Sequence, residues 1–330
     1  MSNDYPNAIS NRYEFVLLYD VENGNPNGDP DAGNMPRVDP ETGCGIVTDV
    51  CIKRKIRNYV DMRYPDKFGF DIYVREGAVL NRNDLTAGEA LGICDELKSI
   101  QQAKDNKAAK RIGSDLKKKH KNCEVALRNS MCEKFYDIRS FGAVMTTFVK
   151  GALNCGQVRG PIQLAFGKSI DPIFPQVITV TRVAITTEDD ALKKETEMGS
   201  KQIVPYGLYK QEGYISANLA RTVTGFSEAD LEVFWDAVIH MFDDDRSAAR
   251  GKMALRELII FKHGSPLGNA PAHKLFERVK VARAGAGAGA GASAGIGAGA
   301  GAAPRKYEDY TVSVDKTNMP DGVHCDRRVL

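Results

Sequence analysis

Apolar and polar positions follow two rhythms along this chain. Tyr13 to Val21, YEFVLLYDV, is a β-rich run closed by the turn-dense NGNPNGDPDAG, which predicts a buried strand. From Glu22 to Gly45 the residues are almost all Asn, Gly, Pro and Asp, so a long loop is expected; such loops in compact domains are usually functional or disordered. Ile52, Ile56 and Val60 then recur at i, i+4 and i+8, behind Thr48 and Asp49, both good N-caps, which predicts a helix. Lys53 and Arg57 share the adjacent stripe of that helix, with Arg54 beside them.

Residues 61–133 read as a mostly helical, very basic insertion. Its run KDNKAAKRIGSDLKKKHK (104–121) has no wide apolar face, so it is expected to face solvent or a ligand, or to be mobile. SFGAVMTTF (140–148) reads as a second buried strand and QVRGPIQLAF (157–166) as a further extended segment. VITVTRVAIT (177–186) alternates like a hairpin arm, and 187–201 reads as its polar tip. IVPYGLYKQEGYISANLA (203–220) is expected to be a strand that bends at its glycines. Ser227 to Phe242 is the clearest helix: Ser227 and Asp230 form a capping-box pattern, and Leu231, Phe234, Trp235, Val238, Ile239 and Phe242 form one stripe. MALRELIIFKHG (253–264) supplies a final core strand. The order strand, helix, strand, strand, helix, strand matches a ferredoxin-like split βαβ pattern, an α+β fold, with long insertions. Residues 284–303 are Gly or Ala at 18 of 20 positions, a low-complexity linker that spans roughly 25 Å as a coil. YEDYTVSVD beyond it is expected to return as a strand.

Composition narrows the class. The chain has 330 residues, 42% apolar and 27% charged, enough for one large domain or two modest ones. A disordered, collagen-like or disulfide-stapled protein is excluded. No run of 18 strongly apolar residues exists, so no membrane span is expected. The opening MSNDYPNAIS has no basic or apolar leader pattern, so secretion is not expected. Seven cysteines without a Cys-x-x-Cys pair read as reduced thiols, which points to the cytoplasm. Net charge is +2, but residues 50–121 carry 17 basic and 10 acidic side chains while residues 1–49 carry 2 and 9. That concentration suggests a polyanionic partner such as nucleic acid.

Several motifs fail on inspection. Gly291, Ser293 and Gly295 fit the letters of a hydrolase nucleophile elbow, but they sit inside the Gly/Ala repeat. Asn27, Asp29 and Asp31 start like a calcium loop, yet Ala32 and Val38 stand where Gly and Glu are required. No P-loop, His-Glu-x-x-His or zinc spacing is present, and no metal or cofactor is expected. Asp29, Asp31 and Asp39 could assist Mg²⁺-dependent phosphodiester cleavage, but the same residues are ordinary turn formers.

Longer stretches carry a resemblance. Asn23 to Arg37, NGNPNGDPDAGNMPR, and Thr48 to Tyr59, TDVCIKRKIRNY, are similar to the backbone subunit of the type I-C CRISPR surveillance complex, Cascade. So are FGAVM (141–145), GQVRGP (156–161), VPYGLY (204–209), FDDDRSAARG (242–251) and GNAPAHKLF (268–276). The Gly/Ala stretch is not part of that pattern. The resemblance implies a hand-shaped protein: a ferredoxin-like (RRM-like) palm over 1–60, 134–170 and 202–283, which 304–330 is expected to rejoin, helical fingers over 61–133 and a hairpin-like thumb over 171–201. It implies CRISPR guide RNA, further copies of the chain, the guide-processing, large and small subunits, and target DNA through the guide as partners. No membrane is implied.

The resemblance puts the RNA-facing positions of the first palm helix on Lys53 and Arg57. Thr48 and Arg54 flank them, Asn25 and Asn27 lie in the loop that can approach a strand closely, and Arg37, Arg159 and Lys168 are further candidates for phosphates. A guide of any sequence must be held by phosphate, sugar and stacking contacts that leave its base edges free. The expected role is therefore non-catalytic. A ribonuclease using the Asp29/Asp31 loop, and a stand-alone single-stranded RNA-binding module, are the alternatives.

Overall fold

The computed structural model describes residues 5–89, 91–146, 148–184, 197–284 and 303–330. Helices and strands are mixed, and the largest unit is an eight-stranded sheet with antiparallel pairings. Its central strand is β1 (Tyr13–Gly24). Phe15, Leu17, Tyr19 and Val21 enter one apolar layer, and Val16 and Leu18 enter another. Burial on both faces is why this strand reads as a continuous apolar run.

The expected long loop is partly ordered. It holds a small hairpin, β2 (Gly28–Asp29) with β3 (Met35–Pro36), and ends in β4 (Cys44–Val47). Helix α1 (Asp49–Arg63) follows and buries Ile52, Ile56 and Val60, the stripe read from the spacing. The insertion folds as α2 (Leu80–Thr86), α3 (Cys94–Gln102), α4 (Asn106–Lys119) and α5 (Cys123–Lys134) around its own core, which includes Leu97, Ile100, Leu116, Leu127 and Met131. In α4 only Ala109, Gly113 and Leu116 are buried, so the lysine run has a narrow inner stripe.

The segment 140–148 is not a core strand. Ser140 and Phe141 end α6 (Tyr136–Phe141), and only β5 (Gly142–Val144) is extended, paired with β6 (Gln157–Arg159) in a separate small sheet. Met145 and Phe148 join the insertion's core instead. The sheet position next to the long strand is taken by β7 (Ile162–Leu164) and β8 (Gly167–Pro172). Next come β9 (Gln176–Arg182) and β10 (Glu197–Ile215), a hairpin whose outer arm is exposed at every residue. Most of the tip expected over 187–201 lies outside the described residues.

Helix α7 (Glu228–His240) carries the capping box: the Ser227 hydroxyl accepts from the Asp230 N–H at 3.2 Å, and Asp230 accepts from the Ser227 N–H at 2.9 Å. β11 (Lys252–His263) completes the core, and the sheet order is β4-β8-β10-β1-β11, with β7 and β9 on other stretches of β10. α1 and α7 cover one face, where Phe15 meets Phe234 and Trp235 edge-on.

The C-terminal residues cover the other face with α8 (Ala272–Phe276) and the hairpin of β12 (Val279–Arg283) and β13 (Tyr310–Val314). β14 (Val323–Val329) then pairs with β11 as an added edge strand. Two carboxylates fasten this layer, Glu257 buried and Asp171 half-buried. Glu257 accepts from Arg327 at 2.6 and 2.7 Å and from the Tyr307 hydroxyl at 2.5 Å, and Asp171 holds Arg283 and Tyr310. The Gly/Ala linker falls outside the described residues apart from its ends. The segments on either side of it are paired as β12 and β13, and the Ala284 N–H donates to the Asp309 carbonyl at 2.8 Å.

Candidate nucleic-acid interface

The helical spacing that buries Ile52 and Ile56 leaves Lys53 and Arg57 one turn apart on a flank of α1. Lys53 pairs with Asp49 at 2.8 Å, and Arg57 donates through Nε to Asp137 of α6 at 2.8 Å. Asp137 is buried, and the N–H groups of Tyr73 and Val74 also donate to it, at 2.8 and 3.1 Å. It is a fixed anchor that sets where Arg57 sits. Both cations lie over the Phe141 ring, Lys53 at 5.7 Å and Arg57 at 5.3 Å from its centroid. Such contacts contribute about 0.5–2 kcal/mol each and pre-order the side chains.

Phe141 brings in a third cation. The next residue, Gly142, has φ +84°, and a Cβ there would lie 2.2 Å from the Val158 carbonyl oxygen. A Cβ on Gly160 would lie 2.4 Å from the Gly142 nitrogen. Only glycine lets these two chains cross so closely. The crossing pairs Gly142 with Arg159, whose exposed side chain has no hydrogen-bond or ion-pair partner among the described residues.

The asparagine-rich loop is fastened to the start of the same helix. Thr48 is the N-cap residue, but its hydroxyl does not cap α1; its N–H and hydroxyl both donate to the Asn27 side chain at 2.9 Å. Asn25 is buried, donating to the Asn34 carbonyl at 2.7 Å and, from its backbone N–H, to Ala249 at 2.8 Å. Arg37 faces Asp29 at 3.3 Å, and Asp29 also accepts from the Asp31 N–H at 3.2 Å. Behind the helix, buried Lys55 pairs with Asp245, which also holds Arg250 at 3.1 Å. Burial pulls the Lys55 ammonium below its ordinary range, against the pull of Asp245. This pair fixes the 243–251 loop, and through Ala249 it fixes Asn25.

The structure therefore gathers Asn27, Thr48, Lys53, Arg57 and Arg159 along α1 and Phe141. Asn25 and Arg37 are scaffold within the adjoining loop. Arg54 lies on the next stripe of α1 and pairs with Glu76. Lys168 stands apart: it sits opposite Lys210 in the β8–β10 ladder, on the sheet face away from α1. It is near Asp39, whose carboxyl is held below the usual range by the Glu41 N–H and the Thr42 hydroxyl, with Lys168 adding to the effect. The sequence alone does not single out Phe141, Asp137 or Glu76, although FGAVM carries part of the resemblance.

Among the described residues, no group of three His, Cys, Asp or Glu side chains is arranged to hold a metal ion, and no helix is long and apolar enough to cross a membrane. The cluster instead offers charged donors and one aromatic ring. The Arg57 amino groups have no partner among the described residues, so they are available to phosphate oxygens while Nε stays on Asp137. A row of this kind recognises a sugar–phosphate backbone and does not read base edges.

The family model described as CRISPR-associated protein Cas7 matches residues 11–315. A curated protein of that name from Haloferax volcanii is 29% identical over 238 residues, covering 67% of this chain and 61% of the relative. The match thus spans less than two thirds of that relative's length. Among solved structures, a chain of a "CRISPR RNA-guided surveillance complex, pre-nicking" is 15% identical, with 76% of this chain and 78% of that one covered and a TM-score of 0.47. A chain of a type III-B Cmr-beta complex bound to cognate target RNA is 9% identical, with 76% and 61% covered and a TM-score of 0.39. Both scores lie under 0.5, and the assignment does not rest on them. On the match that runs through nearly its whole length, this chain belongs to the Cas7 family of CRISPR-associated proteins.

Proposed function

We propose that this chain is the guide-RNA-binding backbone subunit of a type I-C CRISPR surveillance complex, and that it holds the guide along α1 and Phe141. The observation that carries this is the row Lys53–Arg57 stacked on Phe141, with the Arg159 side chain, unpaired among the described residues, across from Gly142. Family membership supplies the guide as the strand. The type I-C assignment rests on the sequence motifs. The subunit acts in the cytoplasm with the guide-processing, large and small subunits, and it presents the guide for pairing with target DNA. The strand order β8-β10-β1-β11, with α1 and α7 on one face, supports a ferredoxin-like palm. The helical insertion is then the fingers, and the β9–β10 hairpin is the thumb.

The role is non-catalytic. Asp29 is already engaged by Arg37 and by the Asp31 N–H, which leaves it poorly placed to collect a metal ion. Sustained cleavage of bound RNA in Mg²⁺, lost in Asp29→Ala, would contradict this.

The thumb couples neighbouring copies. Val177, Ile178, Val180 and Met198 on the hairpin are all exposed, so the hairpin buries little of its own apolar surface. Replacing Glu188 to Gly199 with a Gly/Ser bridge should spare folding and binding to a short RNA, and reduce cooperative filling of a long one. Native mass measurements on short and long RNA, with and without ribonuclease, test this. Equal cooperativity in the deletion variant contradicts the thumb's role, and a one-to-one complex of the parent on long RNA contradicts a stacked backbone.

A further inference from the structure

Lys53, Arg54 and Arg57 on α1 each have a carboxylate, but the three carboxylates differ in kind. Asp137 is 1% exposed and is held by two backbone N–H groups besides Arg57. Asp49 lies one turn below Lys53 on the same helix. Glu76, the partner of Arg54, comes from the loop after α1, and its side chain is 81% exposed. Its neighbour Arg75 pairs with Asp61 at 2.8 Å. Two adjacent loop residues therefore grip α1 at points seven residues apart, roughly 10 Å along the helix. The loop is tied to the strand-binding cluster itself, because the Val74 N–H donates to the Asp137 that holds Arg57.

Exposed pairs of this type are weak and exchangeable, whereas the Asp137 pair is not. A phosphate arriving at Arg54 can displace Glu76 without disturbing the buried anchor. Until then Arg54 presents a neutral pair to passing polyanions.

We propose that Glu76 is a built-in competitor for the bound strand, occupying Arg54 until a nucleic-acid phosphate takes its place. The proposal rests on the reading of α1 as the strand-binding face. Displacement frees a carboxylate to which a solution cation can return, offsetting part of the counterion release that drives binding. Glu76 then lowers both the affinity and its salt dependence. It also penalises any polyanion that cannot bring a phosphate to Arg54, a repulsive element of specificity.

The test is fluorescence anisotropy of an unstructured RNA oligonucleotide over a salt series, with the parent, Glu76→Gln, Arg54→Ala and the double variant. Glu76→Gln should tighten binding about two- to fivefold at low salt, and steepen the log–log salt slope by up to about 0.7. The gain should vanish in the Arg54→Ala background. Unchanged or weaker binding by Glu76→Gln overturns the proposal. So does an equal gain with Arg54 absent, which would mean a general loss of negative charge. In both cases the strand-binding reading stands. Failure of the parent to bind RNA removes that reading and the proposal together.

Discussion

Replacing Arg139 by Met is expected to destabilise the protein by about 3–5 kcal/mol, more than any single change at the binding face. Arg139 is buried where α6, α5, α7 and the loop after α1 meet. Its Nε and one amino group clasp Asp230 at 3.0 and 2.6 Å, and the remaining contacts go to the carbonyls of Cys132, Glu133 and Gly69 at 2.8, 3.1 and 2.8 Å. Methionine fills much of the same space but donates nothing. Asp230 would keep only the Ser227 N–H and hydroxyl at 2.9 Å. Three backbone carbonyls would lose a donor, those of Cys132 and Gly69 in buried contacts, and each buried orphan is costly. Thermal or urea unfolding checks the result. A loss under about 1 kcal/mol would mean that the junction between the insertion and the sheet is held by apolar packing alone.

The double substitution Lys53→Ala, Arg57→Ala should weaken single-stranded RNA binding by about a hundredfold or more at low salt. A charge-assisted contact contributes about 1.5–3 kcal/mol, and each 1.4 kcal/mol is tenfold in affinity. The log–log salt slope should fall by about 1.4, two contacts at about 0.7 each. The loss should be the same for unrelated sequences, because a phosphate row carries no base information. Removing Arg57 also leaves buried Asp137 with only the Tyr73 and Val74 N–H groups, so melting must be followed alongside binding. A loss confined to particular sequences would place base-reading groups on this face instead.

Much of this architecture is legible in local spacing. α1 and the capped α7 carry apolar residues at the helical period, β1 and β11 show as continuous apolar runs, and Lys53 and Arg57 are brought together by the helical period. What the spacing misses is decided at long range. SFGAVMTTF (140–148) reads as one apolar strand, but Gly142 at φ +84° breaks the extension, and Met145 and Phe148 turn into the core of the insertion. β14 is invisible as a pattern. HCDRRV has almost no apolar residues because it is an edge strand, and its Arg327 is fixed by Glu257, 70 residues away in sequence. The loop over 22–45 conceals β2, β3 and β4, each too short to show a rhythm. In the binding cluster the cations were visible, but the anchor Asp137 lies 80 residues from Arg57, and Glu76 22 residues from Arg54. Lys168 was grouped with them by its charge; only the β8–β10 register puts it on the other face of the sheet.

The central claim is that the strand lies along α1, Phe141 and β6. Ultraviolet crosslinking of RNA to the parent protein, with the crosslinked peptides identified by mass spectrometry, tests it most directly. The account predicts crosslinks within residues 48–59 and 141–159, lost together when Lys53 and Arg57 are replaced by Ala. Crosslinks confined to the lysines of α4 or to the C-terminal layer, and unaffected by that double substitution, would contradict it.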